Sequence, residues 1–240
     1  SWTRSPAGLY VPLVTDDDLA RAGADGAYAG NETFFVAGDP PVVIDAARAS
    51  AIGDAVPTAG GAAATIASIT VAQPVLVVGA GVGTTGAALY QGGVVAAIEG
   101  PPELQRTGHA LVPLPDGSLL ALGGADPEGN LLGSGVLYDP VAAAFTVVDD
   151  LVSEPRQGAA IAVTSDVVIV AGGTDASGAP RADAEILDAR QLDRIATIPL
   201  AGERVGGLAL PLGNRQVLLA AGTNGAGEPI ARLELFTPAE

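Results

Sequence analysis

The chain has 240 residues, with 27 acidic against 11 basic side chains, for a formal net charge of −16. It has no cysteine, no methionine, no lysine and one histidine, so disulfides, thiolate ligands, multi-histidine metal sites and lysine-dependent phosphate loops are excluded. The acidic balance argues against nucleic acid and anionic membranes as partners, because phosphate attraction needs a basic face.

In chain order, the first predicted element is an apolar strand over 9–14, Leu9-Tyr10-Val11-Pro12-Leu13-Val14. Asp16 to Arg21 has room for one helical turn at most. From Arg21 onward a unit of about 48 residues recurs five times, over approximately 21–56, 57–98, 106–148, 156–198 and 204–236. Each copy opens with Arg or Thr followed two residues later by Gly: Arg21, Thr58, Arg106, Arg156 and Arg204, then Gly23, Gly60, Gly108, Gly158 and Gly206. An apolar strand follows and ends in Gly-Gly or a variant, whose second position is Asp39, Ala80, Gly124, Gly173 or Gly222. A later strand ends at Ile44, Tyr90, Tyr138, Leu187 or Phe236. Three independent anchors keep one register, which chance apolar patterning would not.

Four short strands per copy are predicted. In the third copy they fall at 107–113, 118–123, 134–139 and 144–148, and Pro115-Asp116-Gly117 is a hairpin turn between the first two. Leu212-Gly213-Asn214 is the equivalent turn of the fifth copy. A repeat of this length built from four strands is the signature of a β-propeller blade. The last copy stops at its third strand, and the chain begins with a lone strand. The expectation is therefore an all-β, single-domain propeller over 1–240 with five four-stranded blades. Strand 9–14 closes the ring by completing the last blade, which leaves few open edges.

The Arg-Thr-Gly-His-Ala start at 106–110, the strand ending in Gly123-Gly124 and the Leu137-Tyr138-Asp139-Pro140 strand resemble kelch repeats. The resemblance spans nearly the whole chain and is strongest over 106–190. Phe145 stands nearest to the tryptophan that kelch blades often carry on their fourth strand, and kelch rings more often have six or seven blades. The resemblance implies a binding scaffold more often than an enzyme. Kelch oxidases that use copper and a cysteine-modified tyrosine are excluded by the missing cysteine and the single histidine.

Residues 55–98 carry no charge. Pro74 and Gly79, Gly81, Gly83 and Gly86 interrupt this stretch, so it reads as the second blade and not as a membrane helix. Its outer strand near 90–98 is a candidate partner surface. The small residues at 60–64, 158–160 and 206–209 suit the crowded axis of a narrow ring.

Arg21, Arg106, Arg156 and Arg204 share one register, and two readings follow. If they point into the channel mouth, they form an anion site with bidentate geometry. If they turn to Asp18, Glu103, Glu154 and Glu203, they form interblade ion pairs. His109 lies beside the same mouth, either as a structural hydrogen-bonding group or as an acid–base residue. The loops at 126–130, 175–178 and 224–228 are oxygen-rich, but each has too few carboxylates for calcium. Gly79-Ala80-Gly81-Val82-Gly83 precedes a strand, which argues against a dinucleotide site. There is no Gly-x-Ser-x-Gly elbow.

The sequence reading is thus a noncatalytic binding module using the loops on one propeller face. The candidate ligand-binding residues are Arg21, Arg106, His109, Arg156 and Arg204, with no cofactor and no metal. The expected partner is a protein, or a small anionic or carbohydrate ligand. The alternatives are an enzyme on a small anionic or sugar substrate with His109 as acid–base, and a structural repeat domain of a larger exported protein. A first residue other than Met points to a segment cut or processed from a longer product. An exported or cell-surface bacterial setting is favoured, and the arginine-only usage fits a GC-rich genome.

Overall fold

The computed structural model describes residues 2–4, 10–12, 26–30, 33–37, 41–44, 49–52, 57–58, 61–66, 73–212 and 215–237. These residues are all-β apart from one 3-10 turn at Pro102–Leu104. Strands β1 (Trp2–Arg4) and β2 (Tyr10–Pro12) pair with each other. Four antiparallel four-stranded sheets follow, each in simple chain order. The first is β3 (Gly26–Gly30), β4 (Thr33–Val36), β5 (Val42–Ile44) and β6 (Ala49–Ala51). The second is β7 (Ala62–Thr65), β8 (Val75–Val78), β9 (Ala87–Gln91) and β10 (Val94–Ala97). The third is β11 (Ala110–Pro113), β12 (Leu119–Leu122), β13 (Gly135–Asp139) and β14 (Ala144–Val148). The fourth is β15 (Ala160–Val163), β16 (Val167–Ala171), β17 (Asp183–Asp188) and β18 (Arg194–Pro199). The last sheet has three strands, β19 (Leu208–Pro211), β20 (Val217–Ala220) and β21 (Glu234–Phe236).

The chain forms two compact units, Ser1–Gln105 and Arg106–Glu240. Within each, consecutive sheets are set as propeller blades are, with first strand beside first strand. In the first unit β3 lies against β7; in the second, β11 lies against β15 and β15 against β19. Tyr10–Pro12, within the strand expected to complete the last sheet, pairs with β1, and among the described residues no fourth strand lies beside β21. The single helical turn proposed for 16–21 lies outside the described residues.

The second strands carry the core, and packing on both faces explains their sequences. Val168 and Val170 face the third sheet, in one cluster with Leu120, Leu122, Leu151 and Val152. Their neighbours Val167, Ile169 and Ala171 face the last sheet, in another cluster with Val217 and Leu219. A strand buried on both faces needs an unbroken apolar run, and Val167–Ala171 is one. Fully burying each such large side chain contributes roughly 1.5–3 kcal/mol. The third-strand anchors fall in one register opposite the second strand: Ile44 faces Phe34, Tyr90 faces Val75, Tyr138 faces Leu119, Leu187 faces Val168 and Phe236 faces Val217. No helix among the described residues is long and apolar enough to cross a membrane.

Candidate functional site

The repeated arginines sit just before the first strands of their sheets, and their guanidinium groups turn into the blade. Arg106, Arg156 and Arg204 are at most 1% exposed. Each spans the gap between the end of its second strand and the start of its third. Arg106 Nη1 donates to the carbonyls of Gly123 and Ser134, both at 3.2 Å. Arg156 Nη1 donates to Gly172 O at 3.2 Å and Asp183 O at 3.4 Å. Arg204 donates to the carbonyl of Ala221 and, at 3.1 Å, to that of Arg232. The acceptors recur at the repeat distance, so one sequence register produces one staple in three blades.

The charge partners come from the third strand of the same sheet. Arg156 Nη2 meets Glu185 Oε1 at 2.9 Å and Asp183 Oδ2 at 3.1 Å, and Glu185 is fully buried. The other Glu185 oxygen accepts from the backbone N–H and hydroxyl of Ser153, both at 3.0 Å. Oε1 also accepts from the N–H of Glu154 at 3.1 Å. Arg204 Nη2 meets Glu234 Oε1 at 3.1 Å. The expected interblade pairing with Glu154 and Glu203 is therefore replaced. The Glu154 carboxylate binds Arg181 at 3.0 Å, and that of Glu203 accepts from Gly225 N–H at 3.0 Å. Burial pushes the Asp183 carboxyl up, but hydrogen bonds and charge from Arg181 and Arg156 outweigh it and hold the group below its ordinary value. Burial likewise raises Glu234, and the Ala201 N–H with Arg204 and Arg232 brings it below.

Glu185 and Glu234 are the residues the sequence reading missed. They lie 49 positions apart, one repeat length, each preceding the apolar pair that leads to the third-strand anchor or forms it, Ile186-Leu187 and Leu235-Phe236. A buried charge in such a strand requires a buried partner, and the Arg register was the available one. Val136 occupies the matching place in the third copy. Thr58, which takes the arginine position in the second copy, is fully buried. Arg21 lies outside the described residues.

The Gly-Gly doublets tie neighbouring sheets together. Gly124 N–H donates to Arg156 O at 3.2 Å, and Gly173 N–H to Arg204 O at 2.7 Å. A Cβ on Gly172 would stand 2.1 Å from Arg204 O, so only glycine lets the next blade's backbone come this close. The loops after the doublets are closed by their own side chains. Asp126 Oδ1 accepts from Asn130 N–H, Asp175 Oδ1 from the N–H of Ser177 and Ala179, and Asn224 Oδ1 from the N–H of Ala226 and Glu228. This is turn chemistry at one repeated position.

Gly108, Gly158 and Gly206 share a φ of +64° beside these loops. Where they gather, a cleft of about 220 Å³ opens between the inner ends of the third, fourth and last sheets. Its floor is apolar, from Leu122, Val152, Ile161 and Val170, and its rim is glycine backbone. His109 and Arg156 are the ionisable residues in the lining, which contains no carboxylate and no hydroxyl. The Arg156 guanidinium is committed to Asp183 and Glu185, and the partly buried His109 contributes the imidazole of the lining. Of the five residues singled out from sequence, His109 and Arg156 share this cleft; Arg106 and Arg204 are drawn into their own blades. No group of three or more metal-ligating side chains occurs among the described residues. Comparison with protein-family models gives no match, and comparison with curated proteins gives none either.

Proposed function

We propose that this chain is a kelch-like propeller that serves as a noncatalytic binding module, and that its ligand places a small anionic or hydrogen-bonding group in the His109 cleft. The observation that carries this reading is the lining itself. It combines an apolar floor, open glycine backbone and one imidazole, the balance of apolar surface and few polar groups that binding pockets have. Its volume suits a terminal group or a small fragment. General acid–base catalysis by His109 needs an orienting or complementary group in reach of the guest, and no carboxylate or hydroxyl lines the cleft. The anion reading draws on the composition of the lining, which includes the His109 imidazole; the three described arginines of the register bond carbonyls and acids.

The only imidazole of the chain gives a clean probe. Acetate, sulfate, citrate and neutral sugars would each be titrated while its NMR resonances are followed. A saturable shift with one class, lost in Ala159→Leu, which fills the cleft, is the expected result. Resonances unmoved by every probe up to about 10 mM, the weakest useful affinity range, would remove the proposal.

The five-bladed closed ring is part of the same reading. Five sheets share one register, and a groove of about 350 Å³ runs beside β21, lined by Ile169, Ile198, Leu200, Leu219 and Phe236 together with Glu234 and Thr237. Leu235, which lines it, is 55% exposed, and Leu233 just before β21 is 61% exposed. The apolar segment 9–14 has the length and composition to occupy the fourth place, in exchange for its pairing with β1. Cysteine pairs at Val11 or Leu13 with Leu235 test this in a chain that has no other cysteine. Closure predicts a disulfide in one of the two pairs; neither forming would refute it.

A further inference from the structure

The outer edge of the second sheet differs from the other edges of the molecule. Among the described residues β10 pairs with β9 alone and is the end strand of its sheet. Among the other outer strands, β6 (Ala49–Ala51) is only three residues long, and β14, β18 and β21 carry or adjoin groups that limit edge-to-edge association. β18 contains Arg194 and Pro199, β14 runs directly into Asp149-Asp150, and β21 contains Glu234. β10 carries no charge or proline of its own: Val94-Val95-Ala96-Ala97-Ile98 is uncharged, proline-free and rich in β-branched residues, at the end of the charge-free stretch 55–98, with Glu99 the first charge after it.

The register of β10 fixes which backbone groups are available. Ile98 N–H donates inward to Ala87 O at 3.1 Å, and Val94 closes the hairpin opposite Gln91. In an antiparallel ladder the bonding direction alternates along the strand. The N–H and C=O groups of Val95 and Ala97 therefore point out from the sheet. A second antiparallel strand bonds this edge only where its own outward residues meet them. When that strand is β10 of another copy, a two-fold axis at Ala96 satisfies the condition. Val95 then faces Ala97 of the other copy, Ala96 faces Ala96, and Val94 faces Ile98. Val94 is 62% exposed, and Ala96 and Ala97 are exposed, so apolar area remains to be covered.

Charge selects the occupant. Two copies of a chain with a net charge of −16 repel each other, and contact costs least where neither copy carries charge. A basic or acidic peptide finds no complementary group on this edge, whereas the edge is sterically and electrostatically complementary to itself. We infer that β10 is a self-association edge, through which two copies join their second sheets in a two-fold, antiparallel β10–β10 pairing.

The test is sedimentation velocity on the whole chain from about 1 to about 200 µM, a range that brackets weak edge pairing. The unaltered protein is expected to form a dimer as concentration rises. Ala97→Pro removes the outward N–H, which β9 does not use, and should leave a monomer. Ala96→Lys puts two like charges face to face across the axis and should weaken the dimer about fivefold or more. An equimolar mixture of Ala96→Lys and Ala96→Glu should restore it. Thermal melts followed by circular dichroism confirm that each variant folds, and any that does not is replaced by Val94→Lys. A monomer at every concentration, a dimer indifferent to Ala97→Pro, or a charge-swapped mixture that stays monomeric would each overturn the inference.

Discussion

Arg156 and Glu185 show how much one buried pair decides. A carboxylate with no exposure depends on its cation and hydrogen-bond donors to offset the loss of water. Arg156→Met should destabilise the protein by about 3–5 kcal/mol, because Glu185 is left buried and short of its cation. Arg156→Met combined with Glu185→Leu should recover part of that loss, since the orphaned charge is gone. Chemical denaturation of the three proteins measures both effects, and equal stability of the single and double variants would contradict the pairing. The exposed Glu154–Arg181 pair contributes at most about 1 kcal/mol. Asp183 and Glu234 set a pH window. Their folded-state values lie below the ordinary 3.8 and 4.5, so their contribution is complete above those values. It is lost as pH falls through the depressed folded values. An acid titration of the melting temperature should fall in that range, and Asp183→Asn should reduce the drop.

At the scale of an element, the doublet glycines act through their neighbours more than through their own flexibility. Gly124 and Gly178 have similar left-handed conformations, with φ of +81° and +79°. A Cβ on Gly178 meets nothing within 4 Å, whereas one on Gly124 would lie 2.3 Å from Thr107 O. Gly178→Ala should therefore cost about 1 kcal/mol, the strain of the conformation alone. Gly124→Ala should cost at least about twice that, because the backbone at Thr107, just before the first strand, must move. Thermal unfolding of both variants makes the comparison, and equal losses would show that the close approach does not matter. The strands were legible from sequence because each anchor is a local pattern. The third copy's predicted strands at 118–123, 134–139 and 144–148 fall on β12, β13 and β14 within a residue or two. Its first strand starts three residues later than predicted, at Ala110, because Gly108 turns the backbone left-handed just before it.

For the whole molecule, an excess of 16 negative charges is spread over a surface that buries its strongest cations. Three of the 11 arginines lie inside the second unit and cannot offset surface acid directly. Raising NaCl from about 10 mM to about 1 M shortens the screening length from about 30 Å to about 3 Å. The repulsion should weaken while the buried pairs are screened less, so the melting temperature should rise by several degrees. A fall would mean that exposed ion pairs, not repulsion, dominate the electrostatics.

Periodicity alone determined the all-β class, the repeated sheets, the register of their anchors and the shared position of the arginines. These are written along the chain, in the spacing of apolar residues, glycines and turns. Tertiary structure decided where each arginine side chain goes. From sequence, a guanidinium aimed at an open channel and one folded back on its own blade read alike, because the choice depends on carbonyls 16 to 28 residues away. The same holds for the cleft at His109. It exists because three sheets bring glycines from separate repeats to one point, and no single repeat contains it.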